Sequence, residues 1–315
     1  MSSVIFASLS ILATSLSFPS SSSAISSAFI LRVPRALSAI DSVAYSPGPC
    51  TMKLTIFNVF HQRLFPELLR FVPEAERGDV VQYGVNEAIP KELPATDGSD
   101  PNFAGFPILL EYKLPKYFPW LQERGYCQTS GMYHVYKNEL DADLDYIGWS
   151  QYDMQYRWNT LSHIRETIAG AASKGQTPVF YELAQPMSQA LSFGKTNWNF
   201  VLDSYNAYFG TSWTLPAILA HPRVSTFCPL VHTFVIPREM FQRMMGWMCD
   251  YLDSIQAPGA YPSIVSQAEF AERIHGLFLG LELAREEVTT VKMLLKHEWP
   301  SYHNQCPFAG YKTLV

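Results

Sequence analysis

The chain has 315 residues, of which 48% are hydrophobic and 16% are charged, and its formal net charge is −5 at pH 7. This length and composition predict one large or two small globular domains with a sizeable core, and they exclude a disordered chain. The acidic balance argues against a nucleic-acid partner, and five cysteines without a C-x-x-C pair argue against a zinc site.

Residues 1–51 differ in composition from the rest of the chain and are excluded from the predicted fold. They are rich in serine, their first acidic residue is Asp41, and residues 4–18 form an apolar run. Three interpretations stay open: a secretory signal peptide, an organelle transit peptide, or sequence upstream of a natural start at Met52. The first two predict the secretory pathway (Golgi or endoplasmic reticulum) or a plastid, and the third predicts a cytoplasmic protein.

Beyond residue 52, short apolar runs alternate with segments in which apolar residues recur every three or four positions. The short runs predict buried strands, and the periodic segments predict amphipathic helices. This alternation predicts an α/β sheet with helices on both faces, and no segment of the body is a candidate transmembrane helix. In chain order, the predicted elements are strand 54–60, helix 65–72, strand 80–85, loop 86–107, helix 126–138, strand 146–150, helix 160–171, strand 178–182, helix 198–209, strand 229–236, helix 237–252 and helix 267–283.

Residues 126–154 contain the helix and the strand around which the other predicted elements are arranged. Thr129 or Ser130 can cap the start of the helix, and the strand at residues 146–150 ends just before Asp153. In open α/β sheets ligands bind at the carboxyl ends of strands, so Asp153 is a candidate for holding a metal ion or a sugar hydroxyl. The competing interpretation is that Asp153 only caps a turn, a position that aspartate favours.

Four segments carry short motifs that share one order with a known family. Residues 126–138 read YCQTSGMYHVYKN, residues 145–154 read DYIGWSQYDM, residues 233–241 read TFVIPREMF and residues 271–274 read AERI. They are similar, in that order, to YCELTxxYWxWKN, DYIGLCHYRRYF, MFIMKKEIF and AERL. These are motifs of a bacterial capsule and lipopolysaccharide family whose members are regarded as glycosyltransferases. The resemblance spans most of residues 52–290.

This resemblance implies a fold and a set of partners. The implied fold is of the GT-A glycosyltransferase type, a Rossmann-type mixed sheet flanked by helices on both faces, in a single domain at residues 52–315. In that fold a nucleotide-sugar lies across the carboxyl ends of the strands, and an Asp-x-Asp motif holds a divalent cation on the diphosphate. The implied partners are a nucleotide-sugar donor and a hydroxyl acceptor on a glycan or a related molecule.

The residues in the Asp-x-Asp place depart from that pattern. If strand 146–150 is the one that precedes the motif, Gln151, Tyr152 and Asp153 occupy this place, where the bacterial family has His-x-Arg. Mn²⁺ and Mg²⁺ prefer carboxylate and phosphate oxygens, whereas Gln151 offers a neutral amide oxygen. Two alternatives stay open. A cation is bound by Asp153, His297 and the substrate phosphates, or Asp153 binds a donor hydroxyl without a metal.

The resemblance also implies donor contacts at the ends of other strands. His61 and Gln62 follow the first strand, where a nucleotide base or ribose lies in a GT-A site, and Asn86 follows the second. Lys137 could serve a diphosphate, but a cation at a helix end also has a structural use. His232 lies in the strand that faces the acceptor, although a lone buried histidine is more often a hydrogen-bonded core residue. The predicted donor-binding residues are His61, Gln62, Asn86, Lys137, Gln151, Tyr152 and His232.

A transfer that inverts the sugar configuration needs a carboxylate base to deprotonate the acceptor hydroxyl. Glu269 and Glu272, at the start of the last helix, are the candidates that the resemblance places best. The competing interpretation of Glu272 is an ion pair with Arg273. Cys127 and His134 are not a nucleophile pair, because seven helical residues separate them by about 10 Å.

Two functions of different classes follow. The first is a glycosyltransferase that moves a sugar from a nucleotide-sugar to a hydroxyl acceptor. The second is a catalytically silent protein that binds carbohydrate or nucleotide on the same scaffold, which the neutral Gln151 favours. Convergence of Asp153, His61 and a carboxylate of the last helix on one cleft would favour the enzyme.

Overall fold

The computed structural model describes residues 52–61, 64–85, 104–123, 125–192, 197–254 and 267–298. In this part of the chain, nine strands form a seven-stranded sheet and a two-stranded sheet. The strands are β1 (Leu54–Phe60), β2 (Val80–Gly84), β3 (Ile108–Leu110), β4 (Tyr146–Gln151), β5 (Met154–Tyr156), β6 (Thr177–Gln185), β7 (Cys228–Pro237), β8 (Val288–Lys292) and β9 (Leu295–His297).

The main sheet has the strand order β3-β2-β1-β4-β7-β6-β8. β7 runs antiparallel to both of its neighbours, and the other pairs are parallel. As a result β1, β2, β4 and β6 all end at the edge where β7 begins. We call this the carboxyl edge; it includes His61 after β1, Val85 after β2 and the turn after β4. The smaller sheet, in which β5 pairs with β9, adjoins the main sheet at that turn.

Helices cover both faces of the main sheet. Apolar side chains of α3, α6, α8 and α9 share one core with Phe57, Tyr83 and Trp149, and those of α1 and α4 share a second core with Ile56 and Phe180. The predicted fold class, a mixed α/β sheet with helices on both faces, is therefore confirmed. The helices are α1 (Pro66–Leu69), α2 (Trp120–Glu123), α3 (Gln128–Lys137), α4 (Thr160–Ala172), α5 (Met187–Leu191), α6 (Trp198–Phe209), α7 (Leu215–Ala220), α8 (Arg238–Ser254) and α9 (Gln267–Glu282).

The centre of the sheet is packed tightly around β4. Gly148 lies between Ile56 of β1 and Val235 of β7, and a Cβ atom at this position would lie 2.7 Å from the Val235 side chain. The next residue, Trp149, is fully buried and stacks on Phe57 with ring centroids 5.0 Å apart. Small and large residues thus alternate along β4, which brings its neighbours close without a void.

Several predicted elements have different limits in the structure. The helix predicted at residues 65–72 is shorter in the structure, where α1 spans Pro66–Leu69. The strand predicted at residues 178–182 is longer, since β6 spans Thr177–Gln185. Pro237 ends β7 instead of opening α8, whose first residue is Arg238. Strands β3, β5, β8 and β9 and helices α2, α5 and α7 were not predicted. Among the described helices, none combines the length and apolarity needed to cross a bilayer.

The cap predicted for α3 is wrong. The helix begins after Cys127, which has a φ of +46°, and no side chain caps it. Thr129 and Ser130 lie inside the helix, where the Thr129 hydroxyl contacts His232 and the Ser130 hydroxyl donates to Glu111. Tertiary contacts therefore use the hydroxyl groups that the sequence pattern assigned to a local cap.

Candidate functional site

The turn between β4 and β5 carries Gln151, Tyr152 and Asp153 to the carboxyl edge, where all three are buried. Because Gln151 pairs with Val59, the turn lies next to the end of β1. The rings of His61 and Tyr152 meet edge to face there, with centroids 4.8 Å apart. The structure thus brings His61 and the 151–153 turn together.

Asp153 contacts His297, which reaches the same edge from much later in the chain. β5 and β9 pair so that Met154 lies opposite His297, and Asp153 Oδ2 lies 3.0 Å from His297 Nε2. The Asp153 side chain is 0% exposed, and its Oδ1 has no hydrogen-bond partner among the described residues. A buried carboxylate oxygen in this state is a place where an ion or a polar ligand can bind.

A chain of buried hydrogen bonds supports this turn from within the sheet. The Tyr156 hydroxyl lies 2.7 Å from Ser150 Oγ, Ser150 donates to Asn58 Oδ1 at 3.0 Å, and Asn58 donates to Gln82 Oε1 at 2.8 Å. Ser150 has a single proton and gives it to Asn58, so Tyr156 donates in the first of these bonds. Burial raises the pKa of Tyr156, which keeps its proton. Since Ser150 and Tyr156 flank the turn, these bonds fix the backbone that carries Asp153.

The ladder between β6 and β7 is interrupted at the same edge. Three residues of β7, at positions 231–233, lie opposite Glu182 of β6. In this bulge Val231 has a φ of +57° and His232 a φ of +44°. Left-handed backbone is costly for a β-branched residue such as valine, and strain of this kind is concentrated at functional sites.

The bulge places His232 between α3 and α9. Its Nε2 lies 3.3 Å from the Thr129 hydroxyl, and its Nδ1 lies 3.9 Å from Glu272 Oε2. Burial lowers the pKa of His232 to about 3, and the nearby Arg273 charge adds to this effect. His232 is therefore a neutral imidazole that borders the carboxylate predicted to act as a base.

Glu272 lies on α9 over the bulge and holds the ion pair that the competing interpretation predicted. Its Oε1 lies 2.7 Å from Arg273 Nη1. Burial raises the pKa of Glu272, while Arg273, the backbone N–H of Val231 and the charge of His297 oppose that rise. Glu269, one turn earlier, is exposed. Of the two predicted bases, the structure therefore brings Glu272 closer to the other candidate residues.

Glu182 is a candidate that sequence reasoning missed. It is 6% exposed, and its Oε2 has no hydrogen-bond partner among the described residues. Burial raises the pKa of Glu182, and Lys292, His297 and Arg157 oppose the rise. The available signal was an acidic residue within an otherwise largely apolar strand, which marks an exposed position as often as a buried one.

Other predicted donor contacts lie elsewhere. Lys137 is at the carboxyl end of α3, about 12 Å along the helix axis from Thr129, and its Nζ lies over the ring of Tyr133 at 5.1 Å from the ring centroid. Because α3 runs back across the sheet before β4, its last turn lies away from the carboxyl edge, so the structure does not bring Lys137 to the site. Gln62 and Asn86 lie outside the described residues.

The carboxyl edge offers few ready-made metal ligands. Within the described ranges, no group of three or more His, Cys, Asp or Glu side chains is placed to hold a metal ion. Asp153 and His297 nevertheless form a contacting pair, and Asp153 Oδ1 is unpartnered. This pair fits a cation that takes its remaining ligands from phosphate oxygens and water, as Mg²⁺ does at many nucleotide sites.

Comparisons with known proteins give structural similarity only. No protein-family model and no curated protein sequence matches the chain. The structure is similar to WbbM, a bifunctional glycosyltransferase in its apo form, with 15% identity, a TM-score of 0.39 and coverage of 77% of this chain. The chain spans 45% of the length of that protein.

Two further solved structures are similar to the chain at the same level. One is core-mannan synthase A of Aspergillus fumigatus in its Mn/GDP form, with 10% identity, a TM-score of 0.39 and coverage of 78% of this chain and 74% of that one. The other is glucosyl-3-phosphoglycerate synthase of Mycobacterium tuberculosis with Mn²⁺, UDP-glucose and phosphoglyceric acid, with 12% identity, a TM-score of 0.33 and coverage of 81% and 78%.

Proposed function

We propose that the protein is a glycosyltransferase-like enzyme of the GT-A type that transfers a sugar from a nucleotide-sugar to a hydroxyl group of a glycan or a related acceptor. The observation that carries this proposal is the convergence of His61, Asp153, His297 and Glu272 on the carboxyl edge. His61 adjoins the turn that carries Asp153, Asp153 contacts His297, and Glu272 borders His232 in the bulge of β7. Buried polar groups at the ends of parallel strands, next to a carboxylate whose pKa burial raises, favour an active site.

The donor is proposed to lie along the ends of β1, β2 and β4. His61 and Tyr152 offer a ring pair at the end of β1 for the nucleoside, and Gln62 and Asn86 stay predicted contacts on the two neighbouring chain segments. The diphosphate then lies beside Asp153, where the strand ends converge. Lys137 is left out of the proposed site because of its place on α3.

Asp153 and His297 are the residues that would hold Mn²⁺ or Mg²⁺. When bound, such a cation neutralises charge on the diphosphate and so helps the nucleotide to leave. The Asp153 carboxylate supplies the negative charge, and its unpartnered Oδ1 is available to a ligand. Gln151 contributes an amide oxygen at most, which makes the site less anionic than an Asp-x-Asp motif.

Glu272 is the proposed base in an inverting transfer. A carboxylate whose pKa is raised by burial lies nearer to the operating pH and accepts a proton from a hydroxyl more readily. Arg273 holds one of its oxygens at 2.7 Å, which leaves Oε2 toward His232. Exposed Glu269 is the second candidate for the same role.

The alternative function is a catalytically silent protein that binds a nucleotide or a carbohydrate on this scaffold. The neutral Gln151 in the Asp-x-Asp place favours it. It predicts binding of donor without transfer to any acceptor and without a requirement for a cation.

Thermal unfolding in the presence of nucleotide-sugars tests the proposal. The full chain is heated with UDP-glucose, UDP-galactose or GDP-mannose, with and without Mn²⁺, alongside Asp153→Asn and the exposed control Glu166→Gln. A donor at a hundred times its Kd stabilises the fold by about 2.7 kcal/mol. We expect one donor to stabilise the unsubstituted chain and the control but not Asp153→Asn.

Release of free nucleotide during incubation with an acceptor glycan then separates the two functions. Transfer supports the enzyme, whereas stabilisation without transfer supports the silent scaffold. A chain that no nucleotide-sugar stabilises would contradict the transferase and leave only carbohydrate binding for the silent scaffold.

A further inference from the structure

Glu182 of β6 is a buried carboxylate with an unused oxygen, opposite the bulge in β7. It is 6% exposed, and its Oε2 has no hydrogen-bond partner among the described residues, while a backbone bond from Leu295 satisfies part of the group. An unmet buried polar atom costs on the order of 1–3 kcal/mol, and more when it is charged. The bond from Leu295 uses only part of the hydrogen-bonding capacity of this carboxylate.

A second observation points to the same place. The β6–β7 ladder is broken opposite Glu182, and the facing residues Val231 and His232 have left-handed backbone. Neither strand is at the edge of the main sheet, so this break gives up inter-strand hydrogen bonds in its interior. Strain in the backbone and an unmet side chain therefore coincide at one position of the sheet.

The neighbours of Glu182 connect it to the proposed donor site. The backbone N–H of Leu295 in β9 donates to its carboxylate, and His297 lies two residues further along the same strand. His297 is the residue that contacts Asp153 at 3.0 Å. In a nucleotide-sugar the sugar ring is bonded directly to the diphosphate. If Asp153 and His297 hold the diphosphate, the sugar ring therefore lies next to these two residues.

We infer that Glu182 binds a hydroxyl group of the transferred sugar. This inference rests on the proposed function and adds a residue that selects the donor. A hydroxyl group is an uncharged hydrogen-bond donor, so it can donate to the unpartnered Oε2 of Glu182. The positive charges of Lys292 and Arg157 balance the charge of the carboxylate. A sugar with a free hydroxyl at the contacting carbon is then bound in preference to its epimer or deoxy form.

The test compares the sugar with the nucleotide that carries it. Affinities of the full chain for UDP-glucose, UDP-galactose and GDP-mannose, and for UDP and GDP alone, are measured by calorimetry with Mn²⁺ present. Glu182→Gln and Glu182→Ala are compared with the unsubstituted chain and with the exposed control Glu166→Gln. Thermal unfolding of each variant without ligand reports the structural effect.

We expect the affinity of Glu182→Ala for the preferred nucleotide-sugar to fall about tenfold or more, because a hydrogen bond to a charged group is lost. The affinity for the matching nucleoside diphosphate stays within about twofold, since the diphosphate contacts are unchanged. Glu182→Gln removes a buried charge, so its Tm without ligand is unchanged or raised.

Four results would overturn the inference. Equal losses for nucleotide-sugar and nucleoside diphosphate, or a lowered Tm of Glu182→Gln with unchanged affinities, show that Glu182 only holds β9 in place. Equal affinities of the unsubstituted chain for nucleoside diphosphates and nucleotide-sugars would also overturn the inference. In that case the sugar adds nothing to binding, and the site binds the nucleotide alone. Absence of all binding overturns the proposed function itself and the inference with it.

Discussion

His232 and His275 lie side by side in the interior, with ring centroids 4.9 Å apart. Burial lowers the pKa of His232 to about 3, and burial together with His232 lowers the pKa of His275 well below its ordinary value. Both imidazoles are therefore neutral in the folded protein at neutral pH. In the unfolded chain they titrate near the ordinary value of about 6.5.

Stability is expected to fall as the pH drops from 7 to 5. Over this range the unfolded chain binds more protons than the folded chain at both histidines, so acid favours unfolding. Each group contributes at most about 1.4 kcal/mol per pH unit below about 6.5. Glu272, whose pKa is raised, acts in the opposite direction above about 4.5.

Urea unfolding at pH 7, 6 and 5 measures this dependence. His275→Phe removes one buried titration and is expected to flatten the fall in the free energy of unfolding. His163→Asn, on the half-buried side of α4, is the matched histidine substitution for comparison. A dependence that is the same in His275→Phe would show that His275 does not resist protonation in the fold.

The hydrogen-bond chain under the 151–153 turn gives a second prediction. Ser150→Ala leaves the Tyr156 hydroxyl and Asn58 Oδ1 without partners, and we expect it to lower the free energy of unfolding by about 1–3 kcal/mol. Tyr156→Phe removes one donor and leaves the bond between Ser150 and Asn58, so we expect a smaller loss of about 0.5–1.5 kcal/mol. Denaturant titration of both variants measures the order, and the reverse order would contradict the direction assigned to these bonds.

Individual residues were predictable where chain position alone decides the outcome. Asp153 and His61 follow apolar runs, and the end of a parallel strand carries them to one edge of the sheet. Glu182 was not predictable, because its importance comes from burial by β9, an element 113 residues later that had not been recognised. Lys137 was predicted as a donor contact from its motif, but it does not lie at the candidate site. A motif resemblance does not say which end of a helix faces a ligand.

At the scale of elements, α9 lies unusually close to β7. Gly276 faces the Cys228 side chain, and a Cβ atom there would lie 2.9 Å from the carbonyl oxygen of Pro229. Gly280, one turn later, would lie 2.7 Å from the carbonyl oxygen of Phe227. The two glycines therefore allow the helix to approach the start of the strand that carries the His232 bulge.

Gly276→Ala is expected to destabilise the fold by about 1–3 kcal/mol, because the added methyl group meets backbone that cannot move aside. Gly170→Ala on α4 is a matched control, since a Cβ atom there meets nothing within 4 Å. Alanine favours a helix over glycine, so the control is expected to gain about 0.5–1 kcal/mol. Thermal unfolding of both variants measures the difference, and a gain in both would contradict the close approach of α9.

Long elements were predictable and short ones were not. β1 and the start of α4 match their predicted limits. A full apolar run or several helical turns give a pattern that stays recognisable even where a single residue departs from it. β5 and β9 have three residues each and are held by pairing with one another. β8 has five residues, of which only Val288 is buried, so its sequence pattern does not distinguish it from a loop.

At the scale of the whole molecule, the predicted boundary at Met52 implies that residues 52–315 fold independently of the residues before them. The described strands and helices all lie at or after residue 52, and they include both cores. A chain of residues 52–315 is therefore expected to unfold cooperatively with a Tm within a few degrees of that of the full chain. Differential scanning calorimetry of the two forms measures this, and aggregation or a broad transition of the shorter form would contradict it.

The pairing of β5 with β9 also has a consequence for synthesis. His297 lies 144 residues after Asp153. At about 5–20 residues per second, a ribosome needs roughly 7–30 s to make that interval. Every strand of the main sheet leaves the ribosome before β9 does. β8, the last of these strands, ends only five residues before His297, so the main sheet and the contact between Asp153 and His297 are completed at nearly the same time.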